Sequence, residues 1–181
     1  MVSKKTSETV TENLFRDFYG SKLFIEKNAI PSGYGFISKK RTSSSIGYPD
    51  FFCDFDDYCI IVEAKATNQT AAQDQVQHYM LNNNIRKDII GIAVSGQSVE
   101  NLLVTYFLKL YEKTEIQSFP QKNTLLSINK IEKEYRKLKY GESVTTEALV
   151  TVLKNLNKRF NDNNKVRDTD RSLFFSGLMI A

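Results

Sequence analysis

The chain has 181 residues, of which 41% are hydrophobic, so it can bury a core as one domain or as one domain with an appended segment. No apolar run approaches the roughly 20 residues that a membrane span needs, and no hydrophobic signal segment follows the N-terminal lysines, which predicts a cytoplasmic protein. Residues 1–121 hold 13 basic and 14 acidic residues, whereas residues 122–181 hold 12 and 7. A basic part of this kind suits either a polyanionic partner or a solvated helix surface.

The first third of the chain predicts one helix followed by irregular structure. In the segment TSETVTENLFRDFYG the apolar residues recur at helical spacing, and Gly20 is a natural end. Residues 21–46 mix a short apolar run with proline, glycine and serine, which predicts one or two short strands and a flexible basic loop over 39–45.

The middle of the chain predicts an antiparallel hairpin, because Asp56 and Asp57 interrupt two aromatic and aliphatic runs. A helix is predicted in TAAQDQVQHYMLNNN, a buried strand in DIIGIAVSG, and one or two further strands before Pro120. Helical patterns follow Pro120, so we place a domain boundary near residue 121 and interpret residues 122–181 as a helical connector.

The hairpin turn sets the register of its two strands. If Asp56 and Asp57 form a two-residue turn, paired residues have numbers that sum to 113, so Asp50 lies opposite Glu63 and Lys65 projects from the same face. The other face is predicted to be core, and it includes one of the two cysteines, which lack zinc-ligand and disulfide spacing. That face carries Phe51, Cys53, Phe55, Tyr58, Ile60 and Val62.

Two carboxylates held this close repel one another unless a cation neutralises them. Oxygen ligands favour Mg²⁺ or Mn²⁺, and Lys65 beside them can orient or help deprotonate a water that attacks a phosphodiester. A salt-bridged surface hairpin is the alternative, since E-x-K triplets are common in strands. The position of Glu63 and Lys65 at the end of an apolar strand favours the metal site.

The motifs PD at 49–50, EAK at 63–65 and QVQHY at 75–79 together resemble the PD-(D/E)XK nuclease superfamily. The resemblance implies an α/β fold with an αβββαβ core, a mixed sheet flanked by helices. It also implies that Asp50 and Glu63 bind Mg²⁺, with Mn²⁺ as a substitute, that Lys65 assists the water, and that the carbonyl of Ala64 is a further ligand.

Within that superfamily, YPDFF, IVEAKA and QVQHYM resemble the nuclease domains of Type I restriction subunits and of fused Type IIG restriction-modification proteins. The resemblance implies that Gln75 and Tyr79 support the site, with Gln73 and Gln77 as alternatives to Gln75. The C-terminal RSLFFSGLMIA resembles a connector into a methyltransferase domain, although no methyltransferase motif is present in the 181 residues. Its apolar end GLMIA has no helix cap, which predicts that the chain is a fragment of a longer protein; the alternative is that this helix docks on the core and ends there.

Several further residues are candidates with ordinary alternatives. Glu12 and Glu8, one turn apart on the first helix, can each add a metal ligand, or they can be solvated helix surface. Glu26 and His78 are weaker candidates for the site. The loop residues 39–41 can contact the DNA backbone or be solvated, and they are Lys39, Lys40 and Arg41.

The sequence therefore predicts a Mg²⁺-dependent endonuclease of a restriction-modification system that cuts double-stranded DNA. The resemblance implies covalent fusion to methyltransferase and specificity domains, and double-strand cleavage implies a transient dimer on DNA. Two alternatives remain: a repair or recombination nuclease of the same fold, and a non-catalytic DNA-binding module.

Overall fold

The computed structural model describes residues 7–39, 46–119, 124–141, 154, 155 and 158. The chain has an α/β fold in which three helices pack against a six-stranded mixed sheet. Short 3-10 turns supplement these elements at Lys27–Ala29, Ser32–Tyr34 and Val99–Asn101. In chain order the elements are α1 (Glu8–Tyr19), β1 (Ile25–Glu26), β2 (Phe51–Asp54), β3 (Tyr58–Lys65), α2 (Gln69–Leu81), β4 (Asp88–Ser95), β5 (Leu103–Lys109), β6 (Ile116–Ser118) and α3 (Ile128–Tyr140).

The strands lie side by side in the order in which they occur in the chain. All neighbours are antiparallel except β3 and β4, which are parallel along their full lengths. A parallel pair needs a crossover connection, and α2 supplies it. The predicted α/β class and mixed sheet are confirmed, and α2 lies directly after the strand that carries Glu63 and Lys65.

The predicted β2–β3 hairpin is confirmed together with its register. The N–H of Phe55 donates to the carbonyl of Tyr58 at 2.9 Å, so the turn residues are the two aspartates, and every paired position sums to 113. The ladder ends at the pair of Phe51 and Val62. Asp50 immediately precedes β2, and its N–H donates to the carbonyl of Val62 at 3.0 Å, so the predicted pairing of Asp50 directly opposite Glu63 is not part of the ladder.

Helices cover both faces of the sheet. One face packs against α1 and α3 and includes the predicted core residues of the hairpin, with Phe55 at its margin. The opposite face packs against α2, and alternate residues within each hairpin strand belong to the two different cores because strand side chains alternate. Buried residues of the α2 face include Phe52, Cys59, Ile61, Ala72, Val76, Tyr79 and Met80.

Gly91 of β4 lets α2 approach the sheet closely. A Cβ at this position would lie 2.6 Å from the sulfur of Met80, which is closer than real Cβ contacts. The close approach fixes the height of α2 above the sheet, and therefore the position of the glutamines and Tyr79 on that helix.

Helix α3 packs on the same core as the sheet. Its Ile131 and Tyr135 are buried, and the compact unit that holds the sheet extends to Lys139. The predicted boundary near residue 121 separates α3 from the strands in the sequence. In the structure, however, α3 packs on the same core as the strands. The helices predicted after residue 141 lie outside the described residues, apart from helical positions at 154, 155 and 158. In the described part of the chain, no helix has the length and apolar character needed to cross a membrane.

Candidate active site

Three charged residues lie in a row across neighbouring strands at the end of β2. The register of β1 with β2 continues past Glu26, so that the N–H of Lys27 donates to the carbonyl of Asp50 at 3.0 Å. Glu63 follows Val62, the last residue of β3 in the ladder with β2, and it lies within electrostatic reach of Asp50. Lys27, Asp50 and Glu63 are therefore grouped at this end of the hairpin, on the face of the sheet that α2 covers.

Asp50 is held on every side although it lies outside the regular strand. Its carboxylate is buried, with Oδ2 accepting from the N–H of Ala64 at 2.9 Å and Oδ1 accepting from Nζ of Lys27 at 3.2 Å. Its own N–H and carbonyl are also bonded, to Val62 and Lys27. These four hydrogen bonds fix the direction in which the carboxylate points.

Glu63 is fully buried, and among the described residues only one of its carboxylate oxygens has a donor. Oε1 accepts from Nζ of Lys65 at 2.8 Å, whereas Oε2 is buried without a partner among the described residues. Burial, followed by the charge of Asp50, raises the pKa of Glu63 to about 8, and the nearby lysines only partly oppose this. Glu63 is thus a buried carboxyl group with one oxygen that has no donor among the described residues.

Lys65 links Glu63 of the site to Glu8 of α1. Its Nζ lies 2.8 Å from Oε1 of Glu63 and 3.5 Å from Oε1 of Glu8, and its side chain is only 19% exposed. Burial alone would lower the pKa of Lys65, but the charge and hydrogen bond of Glu63 outweigh it, so the pKa lies above its usual value. Lys65 is therefore a cation in the metal-free protein.

The start of α1 is tied to the ends of β3 and β4. The hydroxyl of Thr11 lies 3.1 Å from the carbonyl of Lys65 and 2.7 Å from that of Gly96, and the side-chain amide of Gln97 donates to the carbonyls of Ser7 and Ala66. Because β3 ends here, the sheet no longer separates α1 from the carboxylates. Residues of α1 can therefore reach the site.

Glu8 and Glu12 of α1 lie close enough to the site to interact with it. Glu8 pairs with Lys65, as described above. Glu12 is partly buried, and its pKa is raised by burial first and then by the charges of Asp50 and Glu8. The structure thus places Glu8 beside the lysine and Glu12 within electrostatic range of Asp50.

Helix α2 presents Gln75 and Tyr79 to an open cleft beside the site. Both residues line the cleft together with Lys27 and Tyr48. Gln73 points elsewhere, since its amide donates to the hydroxyl of Thr105 at 2.8 Å. Among the three glutamines considered, the structure thus places Gln75 on the cleft and Gln73 away from it.

The remaining candidates divide clearly. Lys39 is exposed and lines the same cleft, 3.7 Å from Asp74, while Lys40 and Arg41 lie outside the described residues. Glu26 pairs with Arg16 at 2.8 Å on the surface. Nε2 of His78 lies 3.1 Å from the carbonyl of Ile37, so this side chain connects α2 to the segment between β1 and β2.

The donor set fits a hard divalent cation such as Mg²⁺. Two buried carboxylates are adjacent, and one oxygen of Glu63 has no donor among the described residues. The N–H of Ala64 points at Asp50, and in a strand the carbonyl of a residue points the same way, so Ala64 can add a neutral oxygen. Within the described ranges no three Asp, Glu, His or Cys side chains are grouped as a complete metal site. Lys27 and Lys65 are paired with the two carboxylates.

Comparisons of the chain with protein-family models, with curated proteins and with solved structures find no match. The chemistry of the site therefore has to be inferred from its own residues.

Three residues that build the site give little signal in the sequence. Lys27 follows a strand of only two residues, which is too short to show a period, and its partner Asp50 is 23 residues away. Thr11 and Gln97 connect segments that are 86 residues apart. Only a prediction that β1 pairs with β2 would have placed Lys27 beside Asp50.

Proposed function

We propose that this chain is the Mg²⁺-dependent endonuclease domain of a restriction-modification system, which hydrolyses phosphodiester bonds of double-stranded DNA in the cytoplasm. The observation that carries the proposal is the pair of buried carboxylates, Asp50 and Glu63, with Lys65 at the same strand end. A protein gains nothing in stability from an ionised glutamate with an unpartnered buried oxygen. Such a site is better explained by a ligand that the carboxylates bind.

Asp50, Glu63 and the carbonyl of Ala64 would hold Mg²⁺, with Mn²⁺ as a substitute and with Glu12 as a further acid nearby. The metal would lower the pKa of a bound water and neutralise charge that develops on the phosphate. Few protein ligands leave coordination positions for water and for a phosphate oxygen. This is the composition expected of a catalytic rather than a purely structural metal site.

Lys65 would orient the attacking water and stabilise charge on the phosphate oxygens. Its raised pKa favours the charged ammonium, which donates hydrogen bonds and does not accept a proton. The hydrogen bond to Glu63 limits the positions that Nζ can take. Gln75 and Tyr79, which line the cleft from α2, would support the same side of the site.

The cleft beside the carboxylates would take the DNA backbone. It is lined by Lys27 and Lys39, and Lys40 and Arg41 follow Lys39 directly in the sequence. Cations at this position would bind phosphates without reading the bases. Recognition of a DNA sequence would then belong to a specificity domain, and methylation to a methyltransferase domain, both fused to this chain as its motifs resemble those of Type IIG proteins.

Cleavage of a supercoiled plasmid tests the proposal, using the protein in its natural full-length context with Mg²⁺ or Mn²⁺. We expect Asp50→Asn and Lys65→Met each to lower the cleavage rate by about 100-fold or more, the scale of losing an electrostatic contact made at the transition state. Asp17→Asn, which removes an exposed acid of α1, is the control and should cut at the wild-type rate. Equal cleavage by the wild type, Asp50→Asn and Lys65→Met would overturn the proposal.

A further inference from the structure

Lys27 belongs both to the carboxylate pair and to the cleft. Its Nζ lies 3.2 Å from Oδ1 of Asp50, and its side chain also lines the cleft with Tyr48, Gln75 and Tyr79. Half of the side chain is exposed, compared with 19% for that of Lys65. Lys27 can therefore reach solvent in the cleft without unpacking the core.

The two lysines and the two acids form two side-chain pairs. Lys65 pairs with Glu63, and Lys27 pairs with Asp50. A divalent cation bound by both carboxylates would supply the positive charge that Lys27 gives to Asp50, and it would repel the nearby ammonium. Lys65 is held by its partial burial and by Glu8 as well, so Lys27 is the lysine that can leave.

We propose that Lys27 changes partner when the site is loaded: it neutralises Asp50 in the metal-free protein, and it binds a phosphate of the DNA backbone once a divalent cation has taken its place. This inference rests on the proposed function of the same site. The flexible four-carbon stem of lysine suits such an exchange, and the backbone N–H of Lys27 keeps its bond to Asp50 throughout. Lys27 competes with the metal for Asp50 in the metal-free protein, and it binds the DNA backbone in the metal-loaded protein.

The proposal predicts effects of opposite sign when the charge of Lys27 is removed. Lys27→Met keeps most of the stem and deletes the ammonium. Mg²⁺ should then bind the DNA-free protein about three- to fivefold more tightly, because an ion pair of this exposure is worth at most about 1 kcal/mol and no longer has to be broken. DNA should bind more weakly, and the salt dependence of its binding should fall by about 0.9 in slope, the value of one lost phosphate contact.

Lys39→Met is the matched control, because Lys39 lines the same cleft but pairs with Asp74 instead of a carboxylate of the site. It should weaken DNA binding without changing the affinity for Mg²⁺. Mg²⁺ affinity is measured by isothermal titration calorimetry, and DNA affinity by fluorescence anisotropy of a labelled duplex, with Ca²⁺ replacing Mg²⁺ to prevent turnover. Melting temperatures of the variants check that each is folded.

Tighter Mg²⁺ binding together with weaker DNA binding in Lys27→Met supports the exchange. Unchanged or weaker Mg²⁺ binding by Lys27→Met overturns the exchange, and so does unchanged DNA binding. A lysine with a purely structural role would weaken the binding of both Mg²⁺ and DNA, or of neither. A wild type that binds DNA and Mg²⁺ while Lys27→Met behaves like Lys39→Met contradicts only this inference. A wild type that binds neither overturns the proposed function as well.

Discussion

Glu63 is the residue whose environment differs most from that of an ordinary glutamate. It is fully buried, one of its oxygens has no partner among the described residues, and the negative charge of Asp50 is close by. Ionised Glu63 is therefore costly in the metal-free protein. The same features make it a good ligand, because a cation removes the repulsion and supplies the missing contact.

We expect this cost to appear as a dependence of stability on pH. The pKa of Glu63 is about 8 in the folded protein, against an ordinary value of 4.5. Between these two values the folded state holds a proton that the unfolded state has released, so the free energy of unfolding falls as the pH rises and levels off above about 8. Urea denaturation in the presence of a chelator measures this free energy at each pH.

Glu63→Gln removes the titrating group while keeping its size. Its free energy of unfolding should be flatter than that of the wild type between pH 4.5 and pH 8, the two limits given by the ordinary and the folded pKa. At pH 9 the variant should be the more stable protein. Parallel pH profiles for the two proteins would show that Glu63 does not titrate in this window.

At the scale of elements, α1 is positioned by a small polar junction. Thr11 Oγ1 contacts the carbonyls of Lys65 and Gly96 and also accepts from the amide of Gln97, which ties the helix to the ends of β3 and β4. Thr11 is completely buried, so these bonds have no competition from water. The junction sets how close Glu8 and Glu12 come to the carboxylates.

Thr11→Val should destabilise the fold by about 1–3 kcal/mol, because it leaves buried partners without the hydroxyl while preserving shape. It should also lower the cleavage rate, since α1 would no longer be fixed against the site. Thr9→Val alters an exposed position of the same helix and serves as the control. Urea denaturation measures the first effect, and an equal cost for both variants would contradict the role of the junction.

Helix α3 is anchored by Asp88 at the start of β4. The carboxylate accepts from the N–H of Tyr111, the hydroxyl of Tyr135 and Nζ of Lys139, each at 2.8 Å. Burial opposes ionisation of Asp88, but the bonds from Lys139, Tyr111 and Tyr135 outweigh it and keep the pKa below its usual value of 3.8. The anchor connects the sheet to the helix from which the chain continues.

Asp88→Asn should lower the free energy of unfolding by about 1.5–3 kcal/mol, the range for a lost charged hydrogen bond. The contribution of Asp88 is present above pH 3.8 and is lost as the pH falls through its lower folded value, so the variant and the wild type should converge in acid. Glu132→Gln is the control, since that residue pairs with Arg136 on the exposed surface of α3. A cost no larger than that of the control would contradict the anchor.

Local chemistry explains which parts of the fold could be predicted. The two aspartates of the turn determined the register from Phe51 to Val62, and Asp50 and Glu63 are the neighbours of that last pair on their two strands. The predicted core face of the hairpin followed from the alternation of strand side chains. The position of Lys27 could not be predicted, because it depends on pairing between a two-residue strand and a segment 25 residues later. The packing of α3 on the sheet depends likewise on a contact, between Asp88 and Tyr135, that joins distant segments.

For the whole molecule, one active site can cut only one strand at a time. Cleavage of both strands then requires either a second encounter or two copies of the protein on the same DNA. We expect two copies, so linear product should form at a rate that rises more steeply than the first power of protein concentration. A quenched time course that separates nicked from linear plasmid measures this order, and first-order formation of linear product at all concentrations would contradict it.

The central claim is that Asp50 and Glu63 together bind a divalent cation. Calorimetric titration of the metal-free protein with Mg²⁺ tests it most directly, because it does not depend on DNA or on turnover. We predict saturable binding that is weakened about tenfold or more by Asp50→Asn and by Glu63→Gln, and left unchanged by Asp17→Asn. Since the pKa of Glu63 is about 8, binding at pH 7 should also release a proton that is not released at pH 9. Mg²⁺ affinity that is the same in all four proteins, or absent from the wild type, would contradict the account.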